Sequence, residues 1–572
     1  MMPVPSPTST PKPNTPERTP VIPPQDLPKP NLAAPGQHTS KPQMPPTLPW
    51  STRTSSSALN YTSLDTSTAL SSHRRVLSWP EIVAEMRLPR LDTSTIAEGQ
   101  GEITFHNLRS TGRGGFGQVY RASVAGDDGY ALKRQIINAD SKNLQEYLKK
   151  QMRELNGFRR EAKIYSSPTL NSRQTAHLAL LSDIAFVTHH NADGSVIKEP
   201  LLAMEWANAQ PDNTLQAWMD SNPVSEHSIQ DRLSFAIQMF SGLVELHFGK
   251  ASAALLEEST GLFVHQDLKP ANMLLFGNGP GGSGPFRLAI TDFGLSVCYN
   301  GTDAEATCGG GTHLYLAPEQ WSSLGARTPE RDIWAAAMVV AKLFAGPCLK
   351  KAIHDYKVFC QRGHKRCCAK ITQEICNRAE NFAPAIAKDG EQKPVSQLSS
   401  VQQAVAQLLQ RCFRQGRELG GAIIPGNARL TSLQCEELLK NIWQDTLGFQ
   451  SWHLYHDRLP GPKPTPLQKY SSHNRANLYF QQMEIGMLTM MLRQCERLRD
   501  KVEYRVNHFV DEQIWDLRQQ IRRAEEQAKS HRKKAGQQVL AAAAHHRVSF
   551  DLVYEKCDFS RSVHGFGGCT GA

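Results

Sequence analysis

The sequence lacks any run of the ~20 apolar residues that a membrane-spanning helix needs. Its longest candidate, "WAAAMVVAKLFAG" from Trp334, is too short and reads as a buried helix. The N-terminus, "MMPVPSPTSTPKP", has no apolar core, so no secretory leader is expected. Twelve cysteines are scattered without a regular framework, which excludes a scaffold built on disulfides. Reduced thiols and an intracellular location follow, with the cytoplasm expected and the nucleus as the alternative. A net charge of +10 over 572 residues is an ordinary basic surface and does not call for a nucleic-acid partner. No internal repeat is evident.

Apolar residues are also scarce in residues 1–75, where Pro, Ser and Thr dominate. Such a segment cannot bury enough surface to offset chain entropy, so it reads as a disordered tail. Its Ser-Pro and Thr-Pro pairs suit proline-directed phosphorylation, and "PPQDLPKP" suits proline-binding domains as partners. Residues 76–101 form a lead-in. From 102 the texture changes to alternating strands around Gly-containing turns, then a helical stretch "NLQEYLKKQMRELNGFRREAKIYSS", then more strands ending in "PLLAMEWANA". Helical periods follow to about 450. A strand-rich segment (102–205) before a larger helical one (206–450) is an α+β pattern.

Residues 451–480 read as a linker, 481–545 as one long amphipathic helix and 546–572 as a tail. Within the helix, apolar residues recur at 3/4 spacing through Leu488, Leu492 and Cys495, then after a phase shift through Val510, Ile514, Leu517, Ile521 and Ala524. That stripe has two candidate partners: a second copy, joined as a coiled coil over 488–524, or the preceding domain. The terminal "CTGA" places Cys569 at a prenylation-like position, but Gly571 stands where an aliphatic residue is usual.

The chemistry concentrates in ordered motifs. "GRGGFGQV" places Gly112, Arg113, Gly114, Gly115, Phe116, Gly117 and Val119 in a strand–turn–strand, where glycine lets the backbone approach phosphate oxygens. "YALK" ends at Lys133. "HQDLKPAN" carries His265, Asp267, Lys269 and Asn272; "DFG" carries Asp292; "GTHLYLAPE" carries Thr312 and ends at Glu319. "RDIW" places Asp332 at the head of a buried helix, and "PGNARLT" supplies Arg429.

In this order, over about residues 102–450, the motifs resemble those of the eukaryotic protein kinases, serine/threonine class. The resemblance implies a two-lobed kinase-like fold, ATP and Mg²⁺ as cofactors, and protein Ser/Thr hydroxyls as acceptors. It implies that Lys133 holds the nucleotide's phosphates and is fixed by a carboxylate: Glu161 in "FRREAKIY", with Glu154 as the rival. Asp292 and Asn272 would hold Mg²⁺, Asp267 would orient the acceptor hydroxyl and take its proton, and Lys269 would neutralise the transferring group. Val119, Ala131 and Leu274 would enclose adenine. In "AMEWA", Met204 would stand at the back of the slot, with the Glu205 carbonyl and Ala207 N–H facing the purine. Tyr165, His265 and Phe293 would form an apolar stack, and Glu319 would pair with Arg429.

Three features depart from that family, one of them the insertions "GKASAALLEESTGLF" and "GNGPGGSGPF", which read as surface loops. Gln266 stands where arginine is usual, and a neutral amide cannot pair with a phosphate as a guanidinium does. The loop after Asp292 still offers Thr307 and Thr312, but activity is expected not to depend strictly on its phosphorylation. The segment 348–376 is rich in Cys and His. Cys360, His364, Cys367 and Cys376 could form a zinc set, but their spacing fits no strong finger pattern, and an insertion with reduced thiols is the favoured reading. The alternative from another class is a pseudokinase scaffold binding partners through the tail and coiled coil. It has no chemical need for Lys133, Asp267, Asn272 and Asp292 together.

Overall fold

The computed structural model describes residues 78, 80–81, 89–99, 103–113, 117–134, 143–165, 176–179, 181–190, 194, 196–209, 213–248, 262–278, 283–299, 311–321, 327–363, 369–391, 396–414, 429–447, 452–462, 473–499 and 504–545. The readings on the Pro-rich tail, Gly114–Phe116, Thr307, His364, Cys367 and Cys569 fall outside these residues.

The small lobe is built from six antiparallel strands: β1 (Ala97–Gly99), β2 (Thr104–Arg113), β3 (Gln118–Val124), β4 (Asp127–Arg134), and, after helix α1 (Leu144–Tyr165), β5 (Leu181–His190) and β6 (Val196–Glu205). They close into a barrel in the order β1-β2-β3-β4-β6-β5, the short β1 pairing with both β2 and β5. Period-two alternation sends Phe105, Tyr120, Leu132, Ala185 and Leu201 into the barrel core. Lys133 therefore points to the other face, opposite Val119 on β3 and Leu202 on β6. Along α1 the buried positions Tyr147, Gln151, Phe158, Glu161 and Ile164 form one stripe. A carboxylate in that stripe must find a counter-charge.

The large lobe begins with α2 (Leu215–Ser221), whose Thr214 side chain accepts the Ala217 N–H, and α3 (Ile229–Phe248). Strand β7 (Leu262–Val264) pairs with β10 (Val297–Tyr299), and β8 (Met273–Asn278) with β9 (Ser283–Ile290). These two ribbons carry the segments that hold Asp267 and Asp292. Helix α4 (Glu330–Leu343), expected from its apolar run, is buried almost throughout, and α5 (Pro347–Gly363), α6 (Ala369–Glu380), α7 (Phe382–Glu391), α8 (Gln397–Cys412) and α9 (Ser432–Leu447) surround it. Strand-rich and helical lobes thus follow one another as the α+β pattern implies.

The Cys/His-rich stretch lies mainly in α5 and α6. Cys360 is buried in the lobe's apolar core and Cys376 is buried as well, and burial pushes their thiols up to about 12 and about 11. Among the described residues no group of three or more His, Cys, Asp and Glu side chains could hold a metal ion.

Two C-terminal expectations change. The expected linker starts as packed structure: in α10 (Trp452–His456), Trp452 and Tyr455 are buried against Trp443, with ring centroids 5.3 and 4.9 Å away. The expected single helix is two, α11 (His473–Arg499) and α12 (Tyr504–His545). They run antiparallel, as the ion pairs Glu496–Arg518 (2.9 Å) and Arg499–Asp511 (2.7 Å) require. Folding back lets Met487, Leu488, Met491 and Cys495 of α11 and Val510, Ile514 and Leu517 of α12 join one core, which a straight helix would leave in water. Among the described residues no helix is long and apolar enough to cross a membrane.

Candidate active site

Three distant segments converge where the lobes meet. Lys133 Nζ donates to both Glu161 carboxylate oxygens at 2.9 Å and to Asp292 Oδ1 at 2.8 Å. Burial alone would lower the Lys133 pKa, but the Glu161 and Asp292 carboxylates outweigh it and hold the ammonium above its ordinary range. Burial would likewise raise Asp292, yet Lys133 keeps its carboxyl below the usual range. Of the two candidate partners for Lys133, Glu161 meets it. Glu154, about two turns earlier on α1, does not make this pair, and burial raises its carboxyl. Arg160 ties the same helix to the large lobe by donating from Nε and Nη2 to the Gly294 carbonyl at 3.1 and 3.0 Å.

The second cluster surrounds Asp267. Its Oδ2 accepts from Lys269 Nζ at 2.6 Å, and its Oδ1 from the Thr312 N–H and Oγ1–H at 2.8 and 2.9 Å. Lys269 also donates to Thr312 Oγ1 at 3.0 Å. Asn272 Nδ2 donates to the Asp267 carbonyl at 2.9 Å, which leaves its Oδ1 as the free hard donor of that amide. Gly311 makes this closure sterically possible. Its φ is +109°, and a Cβ there would lie 2.7 Å from the Gln266 carbonyl oxygen. In the sequence Gly311 is the first residue of "GTHLYLAPE", and its signal is the Gly-Thr pair that opens the motif.

Two non-glycine residues at the centre have left-handed backbones: Gln266 at φ 68° and Asp292 at φ 67°. Such conformations cost about 1–3 kcal/mol each and persist only where neighbours impose them. Asp332, fully buried at the head of α4, is the restraint at Gln266. Its carboxylate accepts the His265 N–H at 2.7 Å, the Gln266 N–H at 2.9 Å and His247 Nε2 at 3.0 Å. Burial would raise this carboxyl, and the bond to His247 overrides it and lowers it. The Gln266 side chain is engaged as well: Nε2 donates to the Leu295 carbonyl at 2.9 Å, and Oε1 accepts from Arg331 Nη1 at 3.4 Å. The Asp267 N–H points at His265 Nδ1 (3.3 Å), so Nε2 is the protonated nitrogen and donates to the Thr291 carbonyl at 3.0 Å. The His265 ring lies 5.2 Å from Phe293. The side chain of Tyr165, the third expected member of that stack, is outside the described set.

The apolar slot is lined from both lobes. Ala131 pairs with Met204 in the barrel register, and both are buried; Val119 lies on the neighbouring strand. From below, Leu274 packs with Ala207, Phe276, Ala179 and Ala289. The connection between lobes is clamped in a way the motifs did not disclose. Glu205 Oε2 accepts from Arg287 at 2.6 Å, Arg287 lies 3.9 Å over the Phe276 ring, and Asn208 exchanges two hydrogen bonds with the Gly277 backbone. Of the glycine-rich loop, Gly112 is the last but one residue of β2 and Gly117 immediately precedes β3. A Cβ at Gly117 would lie 2.8 Å from the Arg134 carbonyl oxygen, so the strands close only over glycine there. Away from the cleft, Arg429 holds Glu319 through two bonds of 2.5 and 2.9 Å.

The donor set fits Mg²⁺: one carboxylate at Asp292 and one amide oxygen at Asn272, both hard oxygen ligands beside a lysine. Residues 105–419 match the family model described as a protein kinase domain. The interferon-induced, double-stranded RNA-activated protein kinase of Rattus norvegicus is 27% identical over 247 residues, 42% of this chain and 40% of that protein. Protein kinase gsk31 of Schizosaccharomyces pombe is 27% identical over 264 residues, 45% of this chain and 57% of that protein. The L-type lectin-domain containing receptor kinase S.1 of Arabidopsis thaliana is 28% identical over 244 residues, 42% and 30% respectively. The chain thus spans between about a third and little more than half of the length of these relatives. The solved structure of vaccinia related kinase 3 aligns with 64% of this chain and 96% of that chain at 14% identity and a TM-score of 0.37, a likeness too slight to add weight.

Proposed function

This chain belongs to the protein kinase domain family, and from that premise we propose that it transfers the γ-phosphate of Mg·ATP to serine and threonine hydroxyls of protein substrates. The observation that carries the reading is the meeting of Lys133, Glu161 and Asp292 within 2.9 Å from separate elements of both lobes. Phosphoryl transfer needs little covalent chemistry from the protein, because positioning and charge neutralisation do most of the work. Lys133 is placed to hand its contact from Asp292 to nucleotide phosphate oxygens while Glu161 keeps it aimed. Asp292 and Asn272 would hold Mg²⁺, which when bound with ATP supplies charge neutralisation at the phosphates. Asp267 orients the acceptor hydroxyl and takes up its proton. Lys269 balances charge on the group in transit, and Thr312 fixes both side chains. Val119, Ala131, Met204 and Leu274 enclose adenine, with Glu205 and Ala207 presenting backbone groups.

Regulation is the second half of the proposal. Gln266 bonds the Leu295 carbonyl directly, so the segment after Asp292 is attached to the catalytic loop by a neutral contact that needs no phosphate. Activity is therefore expected to survive removal of activation-loop phosphates.

The test is an assay of the purified full chain with Mg·ATP and a broad set of protein substrates, with phosphosites mapped by mass spectrometry. Wild type should phosphorylate Ser and Thr, and Asp267→Asn should lose about 1,000-fold or more of the rate. Equal inactivity of the two proteins would overturn the reading in favour of a scaffold. Phosphatase-treated wild type should keep its rate, and complete, reversible loss would overturn the regulatory half.

A further inference from the structure

Helix α1 carries Glu161 and β4 carries Lys133, so their ion pair depends on how α1 sits against the barrel. Among the described residues, α1 is held by the segment after Asp292 through Arg160 and by the C-terminal hairpin, whose α11 touches both α1 and the barrel. On the barrel side, Gly486 lies so close to the β5–β6 ribbon that an added Cβ would be 3.2 Å from the Phe186 ring and 3.8 Å from Pro200. On the helix side, Gln494 Oε1 accepts from Gln151 Nε2 at 3.3 Å, and both amides are buried. Cys495 lies beside Tyr147, one turn before Gln151 on α1. Met483, Met487, Met490 and Met491 of α11 are all buried in the same apolar core. Methionine is pliant enough to fit an irregular gap between a helix and a curved sheet.

We propose that α11 is a built-in positioning element for phosphoryl transfer, with Gln494 as a positioning residue. It wedges α1 at the distance from the barrel at which Glu161 meets Lys133. A helix moves as a rigid unit, and Glu161 is only about 15 Å along α1 from Gln151. A shift imposed at Gln151 is therefore felt at Glu161. Arg160, bonded to the Gly294 carbonyl, fixes the far end of α1 to the large lobe, while Gln151 meets α11. The hairpin's core stripes are spent inside the chain, on each other and on the small lobe. This assigns the buried stripes to the kinase domain.

The proposal rests on the kinase reading, and its test separates the two. In the full chain, Gln494→Lys puts a charge against Gln151, and Gln151→Glu with Gln494→Lys supplies its counter-charge. The readouts are kcat, KM for ATP, affinity for a fluorescent ATP analogue, and hydrogen exchange in peptides of α1. Peptides of α4 in the large lobe report folding. Gln494→Lys is expected to lower kcat/KM about tenfold and to weaken analogue binding. It should also speed exchange across α1 while α4 stays protected, and the double variant should return to within about threefold of wild type. Gly486→Leu, about two turns earlier on α11 where it meets the barrel, should give the same signature independently. Faster exchange in α1 with unchanged turnover and nucleotide affinity would overturn the proposal. So would lost activity with α1 exchange unchanged. If wild type itself transfers no phosphate, the kinase reading fails, and analogue affinity with α1 exchange still decides the role of α11.

Discussion

The two lysines of the cleft are held in different ways. Lys133 is nearly enclosed and sits between two carboxylates brought in from 28 and 159 residues away. Lys269 is more open, bonds a carboxylate two residues away, and shares it with the Thr312 hydroxyl and N–H. The first is a tertiary construction in which burial opposes each charge and only the complete trio is stable. The second is a local turn that chain geometry nearly makes alone. Charge without a partner is costly in the interior, and the molecule supplies partners in proportion to burial.

The sharpest way to break this contrast is substitution of each lysine by methionine. Lys133→Met should lower kcat/KM by about 1,000-fold. It should also cost about 3–5 kcal/mol in denaturant titration, because Glu161 and Asp292 lose their shared cation in a buried site. Arg429→Ala is the control for burial away from the chemistry. The Glu319–Arg429 pair is buried as deeply, so a similar loss of about 3–5 kcal/mol is expected, without a comparable fall in kcat for the protein that remains folded. Lys269→Met should reduce kcat about 100-fold while stability changes by about 1 kcal/mol or less. If Lys269→Met destabilises as much as Lys133→Met, the distinction between the two sites collapses.

The mildest test uses a buried base with no carboxylate partner. His177 lies beneath the inter-lobe connection, with His456, Arg287 and Lys440 as its titratable neighbours, and burial holds its pKa down to about 3. Between pH ~6.5 and ~3 the unfolded chain binds a proton there that the folded chain refuses. Stability from this site is therefore complete above pH ~6.5 and lost as pH falls, by at most about 1.4 kcal/mol per pH unit. His177→Phe should flatten that slope in chemical denaturation at pH 6.5 and 5.5. An unchanged slope would show that His177 is not refusing the proton.

Much of this could be read in advance. The order of motifs implied the family, and periodicity implied strands before helices. Other features could not be read so directly. Glu154 and Glu161 lie seven residues apart on one helix, so spacing alone could not choose between them; packing of α1 against the barrel did. Gln266 announced a missing guanidinium but not its own bond to Leu295. The clamp of Glu205 by Arg287 joins residues with no shared motif. The apolar stripe after residue 481 announced burial without naming the buried surface, because 3/4 periodicity is the same whether the partner is another chain or the helix's own neighbour.

The sequence by itself determined the groups whose relations span a few residues: Asp267 with Lys269 and Asn272, the glycines that admit close backbones, and the alternation that turns Lys133 away from the barrel core. There, covalent geometry and backbone periodicity leave few arrangements. Tertiary structure alone decided which carboxylate meets Lys133, what replaces the arginine at Gln266, and that the C-terminal stretch turns back on itself and packs on the small lobe. Those relations are contacts between elements far apart in the chain. They are selected by burial, which rewards whichever apolar surfaces fit, and by the need of each buried charge for a partner.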